Sequence, residues 1–184
     1  MKKTFLLIAS AIVLLGIGSC QKTKDQIDQL TEFDIPYSNT IIVPATTLNN
    51  TVSATAPIDI KTPDVPTNSS SNFSNNKTSS DLISEIKMKS LSISVPSGNL
   101  DFLKSVSIYI NAPGLSEALV ASKAVIPSGL TSVVMDMGDV NIKDYIKKDN
   151  ISFRVAGTVQ TGTGQLAQTI KLDEVVHVKA TLIK

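Results

Sequence analysis

Apolar and polar residues alternate along much of the C-terminal half of the chain. Val106, Ile108 and Ile110 share one face of an extended segment, Ala112-Pro113-Gly114 turns it, and Glu117 to Ala124 returns as a partner strand. Val133, Met135 and Met137 alternate again. Ile151, Phe153, Val155, Gly157 and Val159 point one way, Thr161-Gly162-Thr163-Gly164 reads as a hairpin turn, and Leu166, Gln168, Ile170 and Leu172 return. After Asp173-Glu174, a closing strand carries Val176, Val178, Ala180 and Leu182 on one side. Successive strand side chains face opposite ways, so a period of two predicts sheets with one buried face.

Upstream the pattern is broken more often. Ile41-Ile42-Val43 and Ala56 to Ile60 are short apolar pieces interrupted by Pro36, Pro44, Pro57 and Pro63, which predicts edge strands rather than central ones. Between Ile86 and Val95 the apolar positions are even at first (86, 88) and odd afterwards (91, 93, 95), a phase slip that predicts a bulge or a late strand start near Ser90. Residues 62–80 are rich in Ser, Asn and Pro and predict a loop with one polar edge strand near Thr67–Phe73. Two short helices are expected, one from Ser80 to Glu85 and one from Asp139 to Lys148 with Ile142, Tyr145 and Ile146 on one face. Seven or more short strands with turns between them predict a mainly β protein, an antiparallel β-sandwich with an immunoglobulin-like arrangement as one form of it.

The first residues follow another rule. Lys2 and Lys3 precede an uncharged run from Phe5 to Gly18, the layout of a secretory signal. The run falls short of the roughly 20 residues a membrane-crossing helix needs. An uncleaved anchor is the alternative, since no charge intervenes between Thr4 and Gln21. At its end stands Cys20, the sole cysteine of the chain.

Ile17-Gly18-Ser19-Cys20 resembles the lipobox of bacterial lipoprotein precursors, an aliphatic residue and two small ones before the modified cysteine, with Ile17 standing where leucine is commoner. The resemblance covers the first twenty or so residues. It implies diacylglycerol on the Cys20 sulfur, cleavage after Ser19 and acylation of the new amino group. Gln21, where aspartate would imply retention at the inner membrane, implies an outer-membrane destination facing periplasm or exterior. One acyl chain binds membranes marginally, whereas two anchor stably. The other reading is an ordinary signal cut with Cys20 as an incidental thiol. The implied organisation is a signal peptide over 1–19, a lipidated tether over 20–34 and a single domain over 35–184. The body is similar to small β-sandwich lipoproteins of Gram-negative bacteria, a likeness of architecture that no motif carries.

Removing residues 1–19 takes away Lys2 and Lys3 and leaves 15 basic against 16 acidic residues. So balanced a chain has no strong field to gather nucleic acid, and with Arg154 as its one arginine it lacks bidentate phosphate clamps. Without a second cysteine no internal disulfide forms, so stability must come from the core. Tryptophan is absent and aromatics are 4%, while Val, Ile, Leu, Thr and Ser predominate, which favours strands.

Candidate chemistry is sparse. His177, the single histidine, shares a face with Val175, Lys179, Thr181 and Ile183, opposite the more apolar set, and reads as a solvent-side strand residue. One histidine with no further cysteine cannot build the usual zinc site. Gly114-Leu115-Ser116-Glu117-Ala118 falls one residue short of a nucleophile elbow, and serine catalysis would need His177 to approach Ser116. Asp136, Asp139, Asn141 and Asp144 could offer oxygen to calcium but match no EF-hand spacing and read as turn and cap residues. Of Tyr37, Tyr109 and Tyr145, only Tyr109 falls on the outer face of a clear strand, a thin basis for a sugar platform.

The sequence therefore predicts no catalytic residue, metal or cofactor. It predicts a lipid-anchored, non-catalytic sandwich that acts by protein–protein contact or as an accessory subunit, attached to the membrane through Cys20 and with its protein partner unspecified. Two other expectations stay open: an apolar ligand held between the sheets by Val106, Ile108, Ile110, Phe153 and Val155, and a Ser116/His177 hydrolase.

Overall fold

The computed structural model describes residues 32–49, 54–162 and 166–181. The signal, Cys20 and the expected tether as far as residue 31 lie outside them, as do Thr163, Gly164 and Leu182. Two antiparallel sheets pack face to face, the sandwich that the alternation predicts. The first has the order β1 (Glu32–Val43), β10 (Gln168–Ala180), β4 (Ile83–Ser94), β7 (Ser132–Val134). The second has the order β2 (Ala54–Lys61), β9 (Asn150–Thr161), β5 (Leu103–Asn111), β6 (Ala118–Lys123), β8 (Asp136–Met137), with β3 (Val65–Pro66) also paired to β9. Three short helices, α1 (Ala45–Leu48), α2 (Ser69–Asn75) and α3 (Lys143–Ile146), lie in the connections.

Several expectations hold in detail. The proline-bearing strands β1 and β2 are the sheet edges, where a missing N–H costs no ladder bond. In β4 the register steps from Val176↔Met88 to Val175↔Ser90, leaving Lys89 as the extra residue, so Met88 and Leu91 are both buried. Pro113 and Gly114 turn β5 into β6, with Gly114 at φ +77° and the Leu115 N–H donating to the Ala112 carbonyl at 3.1 Å. A glycine with positive φ after proline is what a type II turn requires.

Other expectations are corrected. Glu32, Phe33 and Asp34, assigned to the tether, begin β1, because they pair with Lys179, Val178 and His177. The segment expected as a polar strand near Thr67–Phe73 is mostly α2. Asn68 takes a left-handed conformation at φ 49°, its carbonyl accepts the Asn72 N–H, and the coil buries Phe73 edge-on against Phe33. A strand of these residues would have had one large apolar side chain to bury. The helix expected from Ser80 to Glu85 shrinks to a 3₁₀ turn, Ser80–Leu82, because Ile83 already joins the β4 ladder. The helix expected from Asp139 to Lys148 keeps only Lys143–Ile146, since the Gly138 and Ile142 N–H groups donate to the Val120 and Ile86 carbonyls.

Two corrections concern which sheet a strand joins. Val133 and Met135 are buried as the alternation predicts, yet the segment changes sheets: β7 pairs with β4, and β8 with β6. Likewise β9 and β10 sit in opposite sheets and are not paired with each other, so they do not form the hairpin that the alternation predicts. Nor do Asp173 and Glu174 break the chain, for β10 runs through them without interruption.

Candidate functional site

The topology gives the sandwich two unlike ends. Described connections at the Glu32 end span residues 62–82, 112–117 and 138–149 and carry ten charged side chains. Those at the Val43 end span 44–49, 95–102, 124–131 and 166–167 and carry one, Asp101. Six large apolar side chains are exposed among the described residues, and four of them are at or beside the Val43 end: Ile42 (59%), Val125 (71%), Leu130 (36%) and Leu166 (75%). Exposed apolar side chains therefore cluster where charge is sparse.

Two shallow hollows lie in this end, of about 520 Å³ and about 310 Å³, and both reach Gly98 and Gln168. The larger is lined mainly by polar residues, Asn99, Asp101, Lys104, Ser128 and Gln160 among them. Asp101 fixes the loops: its Oδ1 accepts the Gly129 N–H at 2.6 Å, its carbonyl accepts Lys104 Nζ at 2.9 Å, and its N–H donates to Asn99 Oδ1 at 3.1 Å.

A second cluster lies along the seam between β1 and β10. On the inner face Glu174 is 1% exposed, and Oε1 accepts a hydrogen bond from Asn39 Nδ2 at 3.2 Å. Oε2 has no partner among the described residues. Desolvation pushes this carboxyl up to about 7, with the nearby Asp173 charge adding to it and Asn39 opposing it. Tyr37, opposite Glu174 on β1, is pushed up to about 12 by burial and donates its hydroxyl to the Thr67 carbonyl at 2.9 Å.

On the outer face His177 sits between two carboxylates, with Nδ1 2.8 Å from Asp34 and Nε2 3.2 Å from Glu32. Lys89 contacts Asp34 at 2.5 Å, and this ammonium, more than His177, holds the Asp34 carboxyl below its usual range. Lys179 lies 3.4 Å from Glu32, and Lys87 reaches Asp139 at 2.6 Å and Glu85 at 3.2 Å.

The remaining candidates are dispersed. Ser116 is exposed, and its carbonyl accepts the Tyr145 hydroxyl. Both ring nitrogens of His177 contact β1 carboxylates, so no nucleophile–base pair forms with Ser116. Asp136 pairs with Lys123 and Asp139 with Lys87, while Asn141 Oδ1 accepts the Ile86 and Lys143 N–H groups. No group of three or more His, Cys, Asp or Glu side chains among the described residues is placed to hold a metal. Tyr109 faces outward, but the Arg154 guanidinium lies 4.2 Å from its ring centre and covers the face a sugar would use. Arg154 is held there by Glu117 at 2.6 Å and Asp59 at 3.1 Å.

Glu174 and Asn39 escape the sequence reading because an acidic pair reads as a turn. The signal is present in the period: Ile170, Leu172, Glu174, Val176 and Val178 alternate without a slip, as do Ile35, Tyr37, Asn39, Ile41 and Val43.

No protein-family model matches the chain, and no curated protein matches it. Among solved structures it is similar to one described as the structure of infectious bursal disease virus Gx strain, at 12% identity and TM-score 0.26, covering 80% of this chain and 37% of that one. It is also similar to a structure of carbohydrate-binding modules from the beta-sandwich super family, at 14% identity and TM-score 0.26, covering 84% of this chain and 57% of that one. The chain thus spans well under two thirds of either.

Proposed function

We propose that this chain is a lipid-anchored lipoprotein of the outer membrane, with acyl chains on Cys20 and a non-catalytic sandwich that works by protein–protein contact or as an accessory subunit. One observation carries the reading: β1 begins at Glu32 at the highly charged end, while the exposed apolar residues Val125, Leu130 and Leu166 are at the other. An anchor upstream of Glu32 would leave the low-charge end free to meet a partner. The apolar-ligand alternative draws no comparable support. Val106, Ile108, Ile110, Phe153 and Val155, its expected lining, are at most 2% exposed and belong to one packed core.

The test is Cys20→Ala in the native host, followed by membrane fractionation and mass spectrometry of the processed N-terminus. The expected result is an acylated N-terminal cysteine in the parent and release of the variant from the membrane. Unchanged membrane retention after signal cleavage would end the lipoprotein reading. For the contact surface, photo-crosslinkers at Val125 and Leu166 should join one discrete protein in intact cells, and a crosslinker at Lys61 should not. Equal labelling from all three positions would count against a contact at that end.

A further inference from the structure

We propose that the free edge of β1 between Pro36 and Pro44 is a self-pairing surface, onto which a second copy of this chain adds its own β1, antiparallel and centred on Thr40. The backbone groups that β1 leaves unused come first. A strand in an antiparallel ladder turns its N–H and C=O groups to alternate sides, and Pro36 has no N–H to give. Yet the ladder to β10 runs through Pro36 unbroken from Glu32 to Val43, so the even-numbered residues of β1 face away from β10. The far side of β10 agrees. There the Thr181 N–H donates to the Leu82 carbonyl at 2.7 Å, so odd-numbered residues of β10 serve that side. Even-numbered ones, Leu172, Val176 and Val178 among them, serve Asn39, Ile35 and Phe33 of β1.

An open edge invites another strand, and proteins blunt their edges with proline, charge, short length or bulges. Among the described residues the other edges are blunted. β3, β7 and β8 are two or three residues long, and β2 carries Pro57 with Asp59 and Lys61 after it. In β1 the guards stop half-way. Glu32, Asp34 and Pro36 fall in its first half, whereas Ser38, Thr40 and Ile42 are outward-facing, exposed and uncharged. The outward N–H and C=O groups of these three have no backbone partner among the described residues.

Symmetry identifies the occupant. Pro36 and Pro44 stand equally far from Thr40 on either side. Laid antiparallel with Thr40 against Thr40, a second β1 sets Ser38 against Ile42 and Pro36 against Pro44. Each pair between the prolines brings two outward residues together, the arrangement that exchanges both N–H···O bonds. The prolines close the ladder at both ends, and beyond Pro44 the chain coils into α1. Glu32 and Asp34 lie outside the paired stretch, so no like charges are opposed. Such a contact uses the same patch on both subunits, as a closed two-fold dimer requires. It does not rest on acylation of Cys20.

The test expresses the full chain in its native host as two copies with different C-terminal tags, fixed with formaldehyde in the cells before extraction. Parent copies should co-purify. Thr40→Arg on both copies, or Thr40→Glu on both, sets like charges against each other on the two-fold axis and should abolish co-purification. Thr40→Arg on one copy with Thr40→Glu on the other should restore it, a recovery that only self-pairing at this residue predicts. Thr40→Pro removes the central N–H while leaving the β10 ladder intact, as Pro36 does, and should also abolish co-purification. Parent copies that do not co-purify would overturn the proposal, as would a mixed pair that fails to recover. Equal co-purification in every combination, or a different protein fixed to β1 in place of a second copy, would overturn it too. Thr40 is exposed, so these substitutions leave the core unchanged, and the parent pair needs no variant at all.

Discussion

A side-chain carbon on Gly157 would lie 2.1 Å from the backbone oxygen of Ser105, far inside contact distance. The cause is a matched irregularity. The β5–β9 register steps from Leu103↔Val159 to Ser105↔Thr158, so Lys104 is extra and the β5 backbone presses toward Gly157. Gly157 is flanked on both sides, by Ile58 and Val106, and β9 cannot retreat from either. Gly157→Ala is expected to lower unfolding free energy by about 3 kcal/mol or more, because the obstacle is backbone rather than a flexible side chain. Urea denaturation measures this, and a loss under about 1 kcal/mol would mean that the two strands part easily.

Glu174 makes global stability depend on pH with a definite sign. Its folded-state value is about 7 against an ordinary 4.5, so the folded form retains the proton over that interval. Its contribution is complete below the ordinary value and is lost as pH rises through the folded one. Glu174→Gln should flatten the stability curve between about pH 5 and 8 and exceed the parent at pH 8 by about 2 kcal/mol. Parallel curves for parent and variant would show that the carboxyl reaches solvent or a counter-charge.

Arg154 joins four strands or their flanks: it rises from β9, stacks on Tyr109 of β5, and pairs with Asp59 of β2 and Glu117 just before β6. Its partners are largely exposed, so solvent screens the ion pairs and the stacking matters more. Arg154→Lys keeps the charge but loses the planar fork, and should therefore lose most of what Arg154→Ala loses. Thermal melts at low and high salt would check this. Full retention of stability by the lysine variant would show that charge alone matters.

Phe73 anchors α2. It is 1% exposed, and its ring centre lies 6.3 Å from that of Phe33 in an edge-on arrangement. Phe73→Ala should cost about 3–4 kcal/mol, and Phe73→Leu markedly less because it leaves a smaller void. Limited proteolysis between residues 62 and 80 should accelerate in the alanine variant. Unchanged cleavage would mean that the hydrogen bonds of Thr67 to the Lys148 and Asp149 carbonyls hold the segment unaided.

Much of this architecture is local and so legible before folding. The faces of β5, β9 and the second half of β10 follow from the period of two, since each side chain's direction depends on its own strand backbone alone. Pro36 and Pro57 mark edges because a residue without an N–H cannot sit between two ladders. The slip at Lys89 is readable because an extra residue inverts the phase of all that follows it. The candidate site was less legible. Val125 and Leu130 share one connection, but Ile42 and Leu166 are far from them in sequence, and only the strand directions bring the four to one end.

The chain alone determined that it would form strands, which side of most of them would be buried, and where proline would force an edge. Tertiary structure decided which sheet each strand entered: that Val133–Met137 is divided between two, that β9 and β10 are not neighbours, and that Asp173-Glu174 continues a strand. It also decided that an acid at Glu174 lies in the core beside Asn39, and that His177 meets Glu32 and Asp34 from the opposite end of the sequence. The physical reason is range. Backbone geometry and periodicity act over a few residues, whereas pairing and desolvation depend on partners that only the completed fold supplies.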